Sequence, residues 1–404
     1  MSKDFIPAKP AAWFIKLTQE LARFNLYLKN KIEMAERDLL HFHKIPRGSG
    51  IILTSNHADE TDPQVCFELS RRANKRFITM CNREAFDEAF GIAKLLLPRL
   101  GVFSIKRGSH DSAAIAYAKD VVKQGEDVLV IFPEGEIYYL NEKIQPFHSG
   151  AVDICLQAII EKRKTDPNWT AYIVPMAIKY HYDQSIGPEL EKRIAKMEGA
   201  MSIKAESSTA LPDRVLELQK ALLQSEERIY KVGENAQTAK ELREEIITTE
   251  QEILTEVLDK HPEVKVRQEA PTIDKAWQIE AELRNAISAE KDHDKRKQLE
   301  LDLAALKEVA QLTSWHPHYY TKDPNPDRLA EVVLKLEREI YKIQRPKQIA
   351  SRNVSVKIAR PIDMGKHVDD YTKDPHTVRH AVSERLQHEI QSLVTTLAAH
   401  LHKD

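Results

Sequence analysis

Cysteine is scarce in this chain: 404 residues hold three, Cys66, Cys81 and Cys155. The number is odd and no pair has the short spacing of a metal knuckle. Neither a disulfide framework nor a zinc knuckle is expected, and a reducing cytosol fits best. Long apolar runs are also missing. No stretch approaches the roughly 18 uninterrupted apolar residues of a membrane-spanning helix. The opening, "MSKDFIPAKPAAWF", lacks the basic region, apolar core and cleavage site of a secretory signal. The net charge is only -2 although 30% of residues are charged, so bulk charge does not make the chain a polyanion binder. Glycine nearly vanishes between about Leu190 and Gln344, and there is no low-complexity segment and no convincing repeat.

The length suggests two or three compact units, or one domain with a large insertion. In the N-terminal segment, 1–47, Trp13, Phe14, Leu17, Leu21, Phe24, Leu28 and Ile32 recur at threes and fours. This predicts an amphipathic helix from about Pro10 to Glu36, with Lys16, Arg23, Lys29 and Lys31 among the apolar positions. Such a helix either packs on its own domain or lies in a lipid interface.

From 48 to 185 the short apolar runs "GIILTS", "KRFITM", "GVFSIK", "DVLVIF" and "AYIVPMAIKY" alternate with helical stretches such as "PQVCFELSRRA", "DEAFGIAKLLLPRL" and "SAAIAYAKDVVKQG". The alternation is that of an α/β fold with a mostly parallel sheet flanked by helices. Val174-Pro175 is expected to end or bulge its strand.

From 186 to 350 helix formers and interleaved charges dominate. Val215, Leu218, Leu222, Ile229 and Val232, then Leu242, Ile246 and Ile253, keep helical spacing. Two further helices are expected over about Thr272–Thr313 and Pro326–Gln344. This reads as a coiled-coil-like hairpin or small bundle. Its charges alternate in sign, which suits a solvated face and not a nucleic-acid stripe, so nucleic acid is not an expected partner. In the last segment, 351–404, a strand pattern returns in "NVSVKIARPI", Asn353–Ile362, and a helix follows from about Thr377 to His402. The helical block is therefore read as an insertion that interrupts the α/β domain.

Chemistry concentrates where the apolar strands run out. After "IILTS" comes "NHADETDP", with Asn56, His57 and Asp62 on a loop at the carboxyl end of a strand, where α/β folds place ligands. Asp62-Pro63 reads as a helix cap followed by proline at the first helical position. The loop lets the Asp62 carboxylate turn back onto the His57 imidazole, which would fix its tautomer and suit a general base for a hydroxyl group; a structural loop histidine and a plain helix cap are the alternatives. A metal site on His57, Asp59 and Asp62 has no second ligand cluster behind it. The pairs His41/His43, His316/His318 and His376/His380 read as surface or packing histidines, and no metal is expected.

Lys106, Arg107 and Gly108, with Ser109 behind them, stand at a strand-to-helix junction and suit an anion. Glu134 follows the apolar run "VLVIFP" and should emerge at the same sheet edge as His57, with Gly135 allowing close backbone approach. The apolar stretch Phe90–Phe103 is read as a core helix, the wall of an apolar channel or a surface dipping into lipid.

Taken in order, "NHADETD", "GVFSIKRG", "FPEG" and "IVPMAI" resemble the glycerolipid acyltransferase family, which includes lysophosphatidic acid and glycerol-3-phosphate acyltransferases. The resemblance covers roughly Gly48–Tyr182 and the "VSVKIARPI" strand. It implies acyl transfer with no cofactor and with acyl-CoA or acyl carrier protein as co-substrate. His57, held by Asp62, would deprotonate the free hydroxyl of a lysophospholipid resembling 1-acylglycerol-3-phosphate. Arg107 and Lys106 would hold the acceptor phosphate, with Asn56, Gly108, Glu134 and Gly135 completing the acceptor site. It also implies phospholipid biosynthesis by a cytoplasmic enzyme peripherally associated with the membrane surface.

No Gly-x-Ser-x-Gly elbow offers a covalent route. Two features depart from the family pattern. Glu136-Ile137-Tyr138 replaces the usual Thr or Ser and Arg after Phe-Pro-Glu-Gly, and the family pattern does not ask for an insertion of about 160 residues. The readings left open are glycerol-3-phosphate or another polar-head acceptor, and a non-catalytic lipid- or partner-binding scaffold on the same frame. The insertion could serve an acyl carrier protein or a homo-oligomer.

Overall fold

The computed structural model describes residues 5–87, 91–109, 111–182, 184–204, 208–267, 270–343 and 345–401. The chain forms two compact units, one comprising Met1–Ile105, Asp111–Gln184 and Ala350–Asp404, the other Lys106–His110 and Ser185–Ile349.

The first unit is built on one mixed, mostly parallel sheet. Its strands among the described residues are β1 (Asn30–Met34), β2 (Gly50–Ser55), β3 (Phe77–Asn82), β4 (Val102–Ile105), β5 (Val128–Ile131), β6 (Ala171–Tyr182), β7 (Arg352–Ile358) and β8 (Ile362–Asp363). They lie in the order β1-β7-β6-β2-β5-β3-β4, with β8 beside β6. The strands from β6 through β4 run parallel, whereas β7 and β8 run antiparallel to β6, and β1 is parallel to β7.

The apolar runs form strands because both sheet faces are covered. Ile52, Leu129, Ala171 and Ile173 pack on one side with α5 (Ser112–Gln124) and α6 (Gly150–Arg163). Ile51, Leu53, Val128, Val130 and Val174 pack on the other with Val65 and Leu69 of α3 (Asp62–Ala73). A strand buried on both faces has no polar alternation left to show.

Several expectations need correction. The N-terminal helix, α1 (Ala12–Lys29), stops before Glu36, and Asn30–Met34 becomes a strand opposite Arg352–Val356. Ile32 thus leaves the helical stripe, because ladder pairing with a distant strand outweighs a local period that helix and strand both tolerate.

Pro175 neither ends nor bulges β6, which runs unbroken to Tyr182. The Ala359 N–H donates to the Pro175 carbonyl at 2.9 Å. On that side the neighbour changes from β8, opposite Tyr172 and Ile173, to β7, opposite Met176–Tyr182. The missing proline N–H falls in that gap, where no ladder bond is asked of it.

The stretch read as one helix from Asp87 to Leu100 is broken. A 3-10 turn (Arg83–Asp87), the short α4 (Ala93–Leu96) and another 3-10 turn (Pro98–Leu100) share it, with Gly91 at φ +83°. Ile92, Leu95 and Leu96 are exposed and not core. Phe90 lies outside the described residues, as do His402 and Gln344 at the expected ends of two other helices. The C-terminal helix is preceded by α14 (Val368–Lys373), and itself starts early as α15 (Pro375–Leu401). One further helix of this unit, α2 (Glu36–His43), precedes β2.

The second unit is helical: α7 (Gly187–Ala200), α8 (Leu211–Gln224), α9 (Ala239–Lys260), α10 (Thr272–Ala289), α11 (His293–Thr313), α12 (Pro317–Thr321) and α13 (Pro326–Tyr341). A further correction lies here. Thr272–Thr313 is two helices, because Asp292 accepts from the N–H groups of Asp294 and Lys295 and restarts the chain as α11. In the same way Thr238 and Glu241 form a capping box that starts α9. Val215, Leu218, Leu222, Val232, Leu242, Ile246 and Ile253 are buried as their spacing requires, whereas Ile229 is exposed.

Candidate active site

The site lies at the carboxyl ends of β2 and β5. β2 stops at Ser55 because the next residue spends its side chain on a neighbour. Asn56 Nδ2 donates to the Ile178 carbonyl at 2.9 Å, and Asn56 Oδ1 accepts from the Ile178 N–H at 2.9 Å. A carboxamide thus stands where the next peptide of the ladder would be. Asn141 repeats the device on Tyr180, with Nδ2 to the carbonyl at 2.5 Å and the Tyr180 N–H to Oδ1 at 2.8 Å. Both asparagines are buried and satisfy backbone groups of β6 that β2 is too short to reach. The Asn56 side chain therefore acts on the position of the loop that follows it.

That loop carries His57. Its Nδ1 lies 2.8 Å from Asp62 Oδ2, and its ring stacks on Phe132, with centroids 4.2 Å apart and planes inclined by 19°. Asp62 is the first residue of α3, not its cap; Thr61 occupies the cap position and makes no capping bond. The Asp62 carboxylate, wholly buried, turns back into the loop. Oδ2 also accepts the Asp59 N–H at 3.0 Å, and Oδ1 accepts the Tyr180 hydroxyl at 2.6 Å. Burial, first, and the nearby carboxylates of Asp62 and Asp59 push the Tyr180 hydroxyl well above its usual range, so it stays a donor. With Nδ1 engaged, Nε2 is the imidazole nitrogen left without a partner among the described residues, on a side chain still 16% exposed.

Glu134 braces the same loop from β5. Oε1 accepts the His57 N–H at 2.7 Å and Oε2 accepts the Gln145 N–H at 2.9 Å, joining two loops through one buried carboxyl. Burial pushes this carboxyl up to about 8, against the pull of its two backbone N–H donors. Gly135 at φ +74° closes the turn, its N–H on the Phe132 carbonyl at 3.1 Å, in a backbone conformation that favours glycine.

A second layer was not foreseen. Arg352, the first residue of β7, reaches Asp59 through Nη1 at 2.8 Å and Asn30 through Nε at 3.0 Å, and its guanidinium lies 4.4 Å from the Tyr180 ring centroid. Burial alone would raise the Asp59 carboxyl, but Arg352 overrides it and holds it below the usual carboxylate value. Asp59 is thus taken up in a partly buried ion pair. Among the described residues no group of three or more His, Cys, Asp or Glu side chains could hold a metal ion.

Of the residues singled out from the sequence, His57, Asp62, Asn56, Glu134 and Gly135 come together. Lys106, Arg107 and Gly108 belong to the helical unit. There the Arg107 guanidinium lies 5.2 Å from the Trp277 ring centroid, and the Lys106 carbonyl accepts the Ser109 hydroxyl at 3.3 Å. Tyr180, Arg352, Asn141 and the Phe132 stack were missed. The available signal was weak: polar groups at the ends of otherwise apolar strands.

Residues 40–179, which hold β2 through most of β6, match the family model described as Acyltransferase. No curated protein matches the chain.

Proposed function

We propose, on the premise that the chain belongs to the glycerolipid acyltransferase family through residues 40–179, that it moves a fatty acyl group from a thioester of CoA or acyl carrier protein to the free hydroxyl of a lysophospholipid resembling 1-acylglycerol-3-phosphate. The observation that carries this reading is the 2.8 Å contact of His57 Nδ1 with a buried Asp62 carboxylate that two further donors hold in place. Asp62 takes the Nδ1 proton's hydrogen bond and leaves the Nε2 lone pair for the acceptor hydroxyl. As Nε2 removes that proton, the alkoxide oxygen bonds to the thioester carbonyl carbon. The tetrahedral intermediate collapses, the carbon–sulfur bond breaks, and the leaving thiolate takes the proton from the imidazolium. The products are an ester and a free thiol.

Glu134 serves this step by fixing the His57 backbone. The family resemblance assigns the acceptor's anion to Lys106 and Arg107. With Glu136-Ile137-Tyr138 after Gly135, these two cations bear more of that load than the family pattern asks of them.

The test is thiol release from acyl-CoA and acyl carrier protein thioesters across phosphorylated and unphosphorylated lyso-acceptors. Turnover is expected with a phosphorylated acceptor, and His57→Ala should abolish it with the melting curve retained. Wild-type turnover in that variant, or no turnover with any acceptor, overturns the reading.

A further inference from the structure

The chain between Ile131 of β5 and Gly150 of α6 has no regular structure. A connection longer than about 15 residues that lacks it is usually functional. Its backbone groups still need partners, and side chains supply them. At one end Asn141 takes both backbone groups of Tyr180, and Lys179 of β6, wholly buried, pairs with Glu142 Oε1 at 3.0 Å. At the other the His148 N–H donates to the Pro133 carbonyl at 2.8 Å.

Between these ends the partner is α15. Gln391 Oε1 accepts the Ile144 N–H at 3.0 Å, and Gln391 Nε2 donates to the Glu142 carbonyl at 2.9 Å. One turn earlier, Gln387 Oε1 accepts the Phe147 N–H at 3.3 Å. Residues four apart share a helix face, so the two glutamines reach the loop together. Ile390 and Val394 seat the helix beside them, in one apolar cluster with Ile144 and with Ala177 of β6.

Gln145 stands between the two amides that α15 holds. Its own N–H is accepted by Glu134 Oε2 at 2.9 Å, while Glu134 Oε1 accepts the His57 N–H at 2.7 Å. Every link of this path is a hydrogen bond on a backbone amide: glutamine to loop, loop to Glu134, Glu134 to His57. A second tie runs beside it. The Tyr139 hydroxyl donates to Glu60 Oε1 at 2.9 Å, from a backbone at φ +55° that few residues other than glycine adopt. Such a conformation persists only where the surroundings impose it.

We infer that Gln387 and Gln391 are positioning residues for His57. Helix α15 sets the loop after Gly135, and the loop, through Glu134, sets the backbone that carries the imidazole. Neither glutamine bonds the imidazole. A helix that served as support alone would act through Ile390 and Val394 and leave the His57 loop indifferent to its glutamines. The inference rests on the acyl-transfer reading only in taking turnover as one of its two readouts.

The experiment compares full-length wild type with Gln387→Leu/Gln391→Leu by amide hydrogen exchange and by thiol release. Val382→Ala is the control, because it loosens α15 in its core without removing a bond to the loop. Exchange in residues 56–61 should rise on the order of tenfold in the double variant and stay at the wild-type rate in the control. The double variant should lose kcat on the order of tenfold with KM within about twofold. Gln387→Glu, which still accepts from Phe147, should restore most of what Gln387→Leu loses.

Unchanged exchange in residues 56–61 overturns the inference, and so does a wild-type kcat in the double variant. Equal kcat losses in the double variant and Val382→Ala make α15 a support alone and overturn it too. Should the double variant fail to fold, equal exchange in residues 56–61 of Gln387→Leu and Gln387→Glu does so. If wild type turns over no acceptor while the double variant still raises that exchange, the acyl-transfer reading falls and the brace on His57 stands.

Discussion

The Tyr180 hydroxyl donates to Asp62 Oδ1 at 2.6 Å, on the oxygen that His57 does not use. Each oxygen of the buried carboxylate thus has its own donors, and the side chain that orients the imidazole is itself oriented. Tyr180→Phe removes one donor and little volume. It should lower kcat about tenfold, with KM unchanged and stability reduced by about 1 kcal/mol. Asp62→Asn, which favours the wrong imidazole tautomer, should cost kcat on the order of 10³–10⁴. Steady-state kinetics and urea melts of the two variants check the ranking; a wild-type kcat in Tyr180→Phe with stability lowered would mean that Tyr180 acts through folding alone.

Glu134 predicts a pH signature in stability. Its folded-state value of about 8 lies above the ordinary value of 4.5. Between the two, the folded protein holds a proton that the unfolded chain releases. The corresponding stabilisation is present at low pH and lost as pH rises toward about 8, on the order of a few kcal/mol across the window. Glu134→Gln removes this slope. It also turns an amide N–H₂ toward a backbone N–H, at a cost of about 1–3 kcal/mol at any pH. Unfolding free energies at pH 5 and pH 8 should therefore show a larger wild-type advantage at the lower pH.

The Arg352–Asp59 pair, at 2.8 Å, ties β7 to the His57 loop. Arg352→Met leaves a partly buried carboxylate without its cation and should cost about 1–3 kcal/mol. Adding Asp59→Asn should recover a large part of that loss, because the stranded charge is gone. A double-mutant cycle by denaturant titration measures the coupling.

Asn56→Asp changes one atom of the side chain, but puts an acceptor against the Ile178 carbonyl that Asn56 now bonds at 2.9 Å. The expected result is a loss of about 1–3 kcal/mol together with a fall in kcat, since the residue after it is His57. Asn141→Asp, which makes the same swap on Tyr180, should show the stability loss with the smaller effect on kcat. Similar kcat losses in both would place the effect in β6 and not in the His57 loop.

The sequence by itself determined the α/β character of the first unit. Runs such as Ile51–Leu53 and Val128–Ile131 are too apolar and too short for anything but strands covered on both faces. It also made the His57–Asp62 contact legible, because the two are five residues apart and any tight strand-to-helix turn brings them within reach. Only the tertiary structure decided what holds that loop. Asp59 and Arg352 are 293 residues apart, Asn56 and Ile178 are 122 apart, and Asn30–Met34 becomes a strand only because β7 lies beside it. The cause is physical. A local pattern records what a residue does to its neighbours on the same element, whereas the need of a buried carboxylate or an unpaired strand end for a partner is met by whichever segment the fold brings near.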